Sequence, residues 1–189
     1  MKKFVAVLLC LAMGLSFVAC GSAGKTKDAS TKGSSKGVDI GIVLPTKDEP
    51  RWIQDETWFK EALEDTEYSV EVLFSQGSSA KEKENVETLL AKGIKVLVIC
   101  PHDGAGAAAA VEAAKQEDVT VISYDRLITD TDAVDYYVTF DSNSVGAAQA
   151  QYLVDKASGT GNPLYLYAGA ASDNNAFLFF EGAWSVLQP

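Results

Sequence analysis

Residues 95–100 read KVLVIC, and this stretch decides the fold class. Its side chains are apolar without alternation after Lys95, which predicts a strand that is buried on both faces. Strands of this kind belong to parallel sheets with helices packed on both sides, because a half-exposed strand would alternate apolar and polar residues. The stretch therefore predicts an α/β protein with a parallel sheet.

Segments with strand and helix patterns alternate on both sides of this stretch. The other predicted strands cover residues 38–44, 70–74, 119–124, 134–140 and 164–168. The predicted helices cover residues 49–64, 80–91, 105–116, 144–156 and 175–187, the fourth of them capped by Ser144. The charged stretch at residues 81–84 is interpreted as a solvated helix face. Together these elements predict a doubly wound parallel sheet.

A glycine break at Gly159 and Gly161 separates the sixth strand from the first five. One strand alone cannot form a sheet, so this strand and its helix require a second group of elements. We interpret residues 38–157 as an N-terminal lobe and residues 158–189 as the incomplete start of a similar C-terminal lobe. On this interpretation the architecture is truncated in its second lobe.

The N-terminal 20 residues have the features of an export signal: Lys2 and Lys3, and then an apolar run too short for a membrane span. The run ends in FVAC, followed by Gly21 and Ser22, and resembles the lipobox of bacterial lipoproteins. This resemblance implies a lipid on Cys20 that anchors an exported protein to the membrane, with residues 21–37 as a flexible tether. The alternative is a plain signal peptide with a chance cysteine.

The charge balance bears on the class of partner. Six of the 16 basic residues and one of the 26 acidic residues lie in the first 37 positions, which leaves the remainder with a net charge of −15. Such a surface repels phosphate backbones, so nucleic acid is not expected as a partner. Cys100 is the only cysteine of this remainder, so it is predicted to be a buried apolar residue without a disulfide.

Polar side chains follow the predicted strands at the edge where doubly wound sheets bind ligands. Arg51 and Arg126 are the only arginines of the chain, and both fall in these loops, beside Asp125 and the aromatic Trp52 and Tyr124. Arginine donors and carboxylate acceptors next to an aromatic wall suit an uncharged ligand with many hydroxyls, such as a sugar. The alternative is that each arginine forms a structural salt bridge with an acidic neighbour.

Four motifs in this order resemble the xylose-binding and related multiple-sugar-binding proteins of the ribose type, which are bacterial type I periplasmic binding proteins. The motifs are Arg51-Trp52 with Asp55, Tyr124-Asp125-Arg126, Phe140-Asp141 with Val145-Gly146, and Asp173-Asn174-Asn175-Ala176. The resemblance implies a two-lobed solute-binding protein that closes on a xylose-like pentose or a hexose and delivers it to an ABC permease. The sugar contacts that it implies are Arg51, Asp125, Arg126 and one or both of Asn174 and Asn175.

Two further residues are candidates on weaker grounds. Trp52 matches the family motif, but its place on the apolar helix face makes packing an equal alternative. Asp103 lies in a loop after the third strand, where the family often has Asn or Asp. No cofactor, metal or catalytic residue is expected, since His102 is the only histidine and no nucleophile motif is present.

Three other functions remain open at this point. Some relatives present their sugar to a membrane two-component sensor or chemoreceptor instead of an importer. The chain could also be an exported α/β enzyme on a small sugar substrate, or an interaction protein that binds a sensor without sugar. Turnover of sugar phosphates would separate the enzyme from the binding proteins, and titration with monosaccharides would separate the other two.

Overall fold

The structure, a computed structural model, describes residues 37–157, 161 and 163–188. The predicted signal peptide, the predicted lipidation site Cys20 and all but the last residue of the predicted tether lie outside this part. The strands are β1 (Ile40–Leu44), β2 (Val70–Phe74), β3 (Val96–Ile99), β4 (Thr120–Tyr124) and β5 (Tyr136–Val138). The helices are α1 (Pro50–Leu63), α2 (Ser79–Ala91), α3 (Ala108–Gln116), α4 (Ser142–Lys156) and α5 (Asn174–Leu187).

The five strands form one parallel sheet in the order β2-β1-β3-β4-β5. This confirms the predicted doubly wound α/β class. The apolar stretch that predicted the class supplies β3, which lies in the middle of the sheet between β1 and β4. Its continuous apolar sequence follows from this position, because helices cover both of its faces.

Alternate side chains of the central strands enter two separate apolar cores. One core packs Val43, Leu97 and Val121 against apolar residues of α2 and α3. The other packs Ile42 and Val98 against the α1 face, where Trp52 is the largest buried side chain. Each fully buried aliphatic side chain contributes roughly 1.5–3 kcal/mol, so these two layers are the main source of stability.

Helix α4 begins two residues earlier than predicted, and its N-cap is Asp141 instead of Ser144. The Asp141 carboxylate accepts hydrogen bonds from both the backbone N–H and the side-chain hydroxyl of Ser144, at 3.0 and 2.6 Å. The side-chain contact with Ser144 is the largest contribution that lowers the pKa of Asp141. Asp and Ser both cap helices well, and Asp141 is the N-cap because it lies immediately before the first helical turn, whereas Ser144 lies within that turn.

The predicted strand at residues 164–168 does not form. These residues belong to no sheet within the described part of the chain, and Tyr165 and Tyr167 are 81% and 98% exposed. The physical reason is the one that governs every strand: backbone N–H and C=O groups need a neighbouring strand, and none of the five described strands pairs with this segment.

Helices α4 and α5 pack directly on each other through two glycines. A Cβ atom at Gly146 would lie 2.1 Å from the carbonyl oxygen of Phe179, and one at Gly182 would lie 1.9 Å from that of Asn143. Only glycine allows backbones to approach this closely.

Within the described residues, no helix is both long enough and apolar enough to cross a membrane.

Candidate functional site

The parallel sheet brings the sequence-predicted residues to one edge, at the carboxyl ends of the strands. Arg51 lies in the first turn of α1, which follows β1, and Asp125 and Arg126 directly follow β4. Asn174 and Asn175 begin α5, and Asn175 contacts this edge by hydrogen bonds to Asp125. The predicted arginines and Asp125 therefore lie at the same edge of the sheet.

Arg51 and Asp125 form an ion pair that joins α1 to the end of β4. The Nε atom of Arg51 also lies 3.6 Å from Oδ2 of Asp55, one turn along the same helix. Partial burial disfavours the charged guanidinium, but the Asp125 carboxylate outweighs it, so that the pKa of Arg51 is raised. Tyr124 completes the group by donating its hydroxyl to Asp55 Oδ2 at 3.1 Å.

Arg126 forms the second ion pair of this edge, with Asp173 just before α5. Its Nε atom lies 3.0 Å from Asp173 Oδ2, and its Nη1 donates to the backbone carbonyl of Pro101 at 3.2 Å. The guanidinium therefore connects three segments: the end of β4, the loop after β3 and the N-terminus of α5. Its planar set of donors suits this bridging geometry.

Trp52 lies beneath both arginines. Its side chain is buried in the apolar core, and its ring centroid is 4.5 Å from Cζ of Arg51 and 5.6 Å from Cζ of Arg126. The indole Nε1 donates to Glu49 Oε2 at 3.1 Å. A cation over an indole ring is stabilised by roughly 0.5–2 kcal/mol. With only 2% of Trp52 exposed, packing and support of the arginines are the contacts that the structure gives it.

Asp125 has an unusual backbone conformation, with φ at +64°. Its N–H donates to the carbonyl of Val138 at 2.8 Å, and its own carbonyl accepts from Thr139 Oγ1 at 2.8 Å and from the Tyr137 hydroxyl at 3.2 Å. Asn175 Nδ2 donates to the same carbonyl at 3.0 Å and to Asp125 Oδ1 at 3.2 Å. These contacts hold a conformation that a non-glycine residue adopts at a cost.

The structure places the two weaker candidates as follows. Asp103 is half-buried, and its Oδ1 accepts from the backbone N–H of Gly106 at 2.7 Å, so the carboxylate stabilises the turn before α3. Asn174 is the half-buried first residue of α5, after the N-cap Asp173. Sugar contacts by these two residues stay predictions.

Glu82 is a buried acid beneath this edge that sequence reasoning missed. The charged stretch at 81–84 was expected to be solvated, but Glu82 is 1% exposed, and its Oε2 accepts from the backbone N–H of His102 at 2.8 Å. Burial raises the pKa of Glu82 to about 7. The available signal was its spacing, since Glu82 lies four and seven residues before the inward-facing Val86 and Leu89.

A cavity of about 350 Å³ opens among these loops. Its polar lining residues come from the loops after several strands and from the segment before α5: Thr46, Asp48, Glu49, Gln76, His102, Arg126, Ser172 and Asp173. The size lies within the range of small-molecule sites. Among the described residues, no cluster of three or more His, Cys, Asp or Glu side chains has a geometry that could hold a metal ion.

A second cavity, of about 450 Å³, lies between α4, α5 and residues 165–170. Its walls are mostly apolar, with Leu153, Phe179 and Phe180 among them, and they include Asp173 and the predicted Asn175 but neither arginine. A hydroxyl-rich ligand would leave most of its donors and acceptors without partners there. The polar cavity at the sheet edge is therefore the better candidate site.

Comparison with known proteins agrees with this geometry. Residues 40–189 match the family described as "Periplasmic binding protein domain". The multiple sugar-binding periplasmic protein SbpA of Azospirillum brasilense is 39% identical over 155 residues, which cover 79% of this chain and 43% of that protein. The D-xylose-binding periplasmic protein of Escherichia coli is 37% identical over 155 residues, 82% of this chain and 46% of that protein.

A solved structure is also similar to the described fold. The carbohydrate transporter solute binding protein of Chloroflexus aurantiacus, in complex with D-glucose, has a TM-score of 0.76 and 81% sequence identity. The match covers 80% of this chain and 45% of that one, so the chain spans less than half the length of the relatives described here. On the sheet order, the edge residues and these matches, the chain belongs to the type I periplasmic binding protein family.

Proposed function

We propose that the protein binds an uncharged monosaccharide at the carboxyl edge of its sheet and serves as an extracytoplasmic solute-binding protein for an ABC sugar importer. The observation that carries the proposal is the pairing of Arg126 with Asp173 in the wall of the 350 Å³ cavity, together with the Arg51–Asp125 pair at the same edge of the sheet. The sugar-binding relatives support it, and the 81% identical D-glucose complex supports it most strongly.

The two pairs offer what sugar recognition requires. A sugar hydroxyl both donates and accepts, so its best partners are fixed groups of opposite type placed next to each other. Arginine has five N–H donors, more than the contacts described above use, and each carboxylate oxygen accepts more than one hydrogen bond. Because the ion pairs hold the side chains in place before the sugar arrives, less conformational entropy is lost on binding.

The ligand that we favour is a hexose such as D-glucose, with D-xylose as the pentose alternative. The first follows from the D-glucose complex of the 81% identical protein and the second from the xylose-binding relative. In the complete protein we expect a second lobe to close over the sugar by hinge motion. Because α4 packs on α5, we also propose a lobe boundary near residue 141 as an alternative to the predicted one at residue 157.

Isothermal titration of the chain with D-glucose and D-xylose tests the proposal. We expect Asp125→Asn to weaken binding at least tenfold. The substitution removes the carboxylate that pairs with Arg51 and that we propose to accept a hydrogen bond from the sugar. Asp132→Asn, at an exposed position in the segment between β4 and β5, is the matched control and should change affinity less than twofold. Absence of heat with both sugars, from this chain and from a version extended through a second lobe, would contradict the proposal.

Transport and catalysis are separated by two further measurements. Uptake of labelled sugar into cells that carry the permease should require the protein, whereas a purely sensory role would change signalling and leave uptake intact. We also propose that the protein is not an enzyme, in keeping with its transport relatives. Turnover of a sugar or sugar phosphate by the purified protein would overturn this part.

The lipid anchor is proposed on the sequence pattern around Cys20 alone. Cells fed labelled palmitate should incorporate label into the wild-type chain and into Cys10→Ser, the matched cysteine control within the signal. Label should be lost from Cys20→Ser. Absence of label from the wild-type chain would argue for a plain export signal, and equal labelling of both variants would show that Cys20 is not the lipidated residue.

A further inference from the structure

We propose that Asn175 is a positioning residue that holds Asp125 in its binding conformation and does not itself contact sugar. This inference rests on the proposed sugar-binding function, and it assigns to Asn175 a role different from the one that the family resemblance implies.

The hydrogen-bonding groups of the Asn175 side chain are already engaged. Nδ2 donates to the backbone carbonyl and to Oδ1 of Asp125, at 3.0 and 3.2 Å, while Oδ1 accepts from the Ser142 hydroxyl at 3.0 Å. A primary amide has two N–H donors, and both point at Asp125. With 6% of Asn175 exposed, little of its surface is left for a ligand.

Asp125 needs this support because its backbone is in the left-handed region, with φ at +64°. Residues with a Cβ atom pay roughly 1–3 kcal/mol there and remain only when their surroundings hold them. Asn175 contacts both the carbonyl and the carboxylate of Asp125, whereas Tyr137 and Thr139 reach the carbonyl alone. The amide therefore sets the orientation of the carboxylate relative to the backbone.

The contacts form a continuous chain from Ser142 through Asn175 and Asp125 to Arg51. Ser142 and Asn175 lie in the first turns of α4 and α5, while Asp125 and Arg51 belong to the sheet edge and α1. The position of the two helix N-termini is thus transmitted to the carboxylate and the guanidinium proposed to bind sugar. On this proposal Asn175 affects the affinity for sugar only through its contacts with Asp125.

A double-mutant cycle tests this. Asn175→Ala, Asp125→Asn and the double variant are titrated with D-glucose, with Asn143→Ala as a control for an exposed asparagine beside Ser142. We expect Asn175→Ala to weaken binding about tenfold and the double variant to bind no more weakly than Asp125→Asn alone, because coupled residues are not additive. Independent, additive losses would show that Asn175 contacts the sugar and would overturn the inference.

A sugar-free measurement decides the positioning role separately. Amide exchange followed by NMR should show the Asp125 N–H exchanging at least tenfold faster in Asn175→Ala, with the core amide of Val98 unchanged. Unchanged exchange at Asp125 would overturn the inference even if sugar binds. If neither this chain nor its extended version binds sugar, the proposed function fails while this readout still decides whether Asn175 holds Asp125.

Ser142→Ala provides a second variant if Asn175→Ala does not fold. It removes only the hydroxyl that fixes Asn175 Oδ1. We expect a smaller effect in the same direction, about a threefold faster exchange of the Asp125 amide. Exchange equal to that of wild type in a folded Ser142→Ala protein would count against the proposed chain of contacts.

Discussion

The buried carboxylate of Glu82 accepts a 2.8 Å hydrogen bond from the backbone N–H of His102, which ties helix α2 to the loop after β3. The carbonyl of Pro101, the preceding residue, accepts from Arg126. A side chain of α2 therefore supports the loop against which one of the two site arginines rests.

This bond makes stability depend on pH. Burial raises the pKa of Glu82 from 4.5 to about 7, so the folded state binds more protons than the unfolded state between these values. The free energy of unfolding should therefore fall as pH rises through this window, by up to about 3 kcal/mol from this group. Glu82→Gln, which keeps an acceptor for His102, should remove that contribution.

Urea unfolding at several pH values measures the effect, with Glu84→Gln as the control. Glu84 lies on the exposed side of the same helix and should leave the slope as in wild type. A slope that persists in Glu82→Gln would mean that other groups cause the pH dependence.

Trp52 should matter for stability through both its volume and its indole N–H. Trp52→Phe loses the bond to Glu49 and leaves a void beneath the two arginines, which should cost about 1–3 kcal/mol. Trp58→Phe, at a 60% exposed position on the same helix, should cost less than about 0.5 kcal/mol. Chemical denaturation compares the two, and equal costs would refute the buried packing of Trp52.

Gly146 should not tolerate even a methyl group. At an exposed helix position, replacing Gly by Ala raises the free energy of unfolding by up to about 1 kcal/mol. The control is the reverse change, Ala148→Gly at an exposed position of the same helix, which should lower the free energy of unfolding by a similar amount. At Gly146 the added Cβ would meet the Phe179 carbonyl at 2.1 Å, so we expect Gly146→Ala to destabilise by about 1–3 kcal/mol. Thermal unfolding measures both variants, and a stabilised Gly146→Ala would contradict the close packing of α4 on α5.

Cys100 should be chemically inert in the folded protein. It is fully buried at the end of β3, and burial raises the pKa of its thiol, which disfavours the reactive thiolate. Iodoacetamide at pH 8 should therefore label the Cys100 peptide, detected by mass spectrometry, only in concentrated urea. Rapid labelling of the native protein would show that this part of the sheet opens.

The sequence was sufficient for those features that depend on local pattern. The apolar run of β3 predicted a central parallel strand, and the positions of the two arginines after β1 and β4 predicted that they would lie at one edge of the sheet. Parallel strands align their carboxyl ends whatever the details of packing, so this juxtaposition needs no three-dimensional information beyond the fold class.

Features that depend on a distant partner could not be predicted in this way. Residues 164–168 have strand composition, but a strand also requires a neighbour, and the described chain offers none. Glu82 has the composition of an exposed helix face, and only its place beneath the loop after β3 makes it a buried acceptor. Asn175 was predicted to contact sugar from the family resemblance alone, whereas its hydrogen bonds to Asp125 follow from the packing of α5 and could not be predicted.

The pairing of each site arginine with an aspartate has a consequence for selectivity. The two cationic side chains are already matched by anionic ones, and the cavity wall adds Asp48 and Glu49 to Arg126 and Asp173, so acidic groups outnumber basic ones there. A neutral sugar can add its hydroxyls to this arrangement, whereas a phosphorylated sugar would have to compete with the carboxylates of Asp125 and Asp173 for the same guanidiniums. We therefore expect the crevice to discriminate against phosphorylated metabolites by electrostatic repulsion, without any residue dedicated to excluding them.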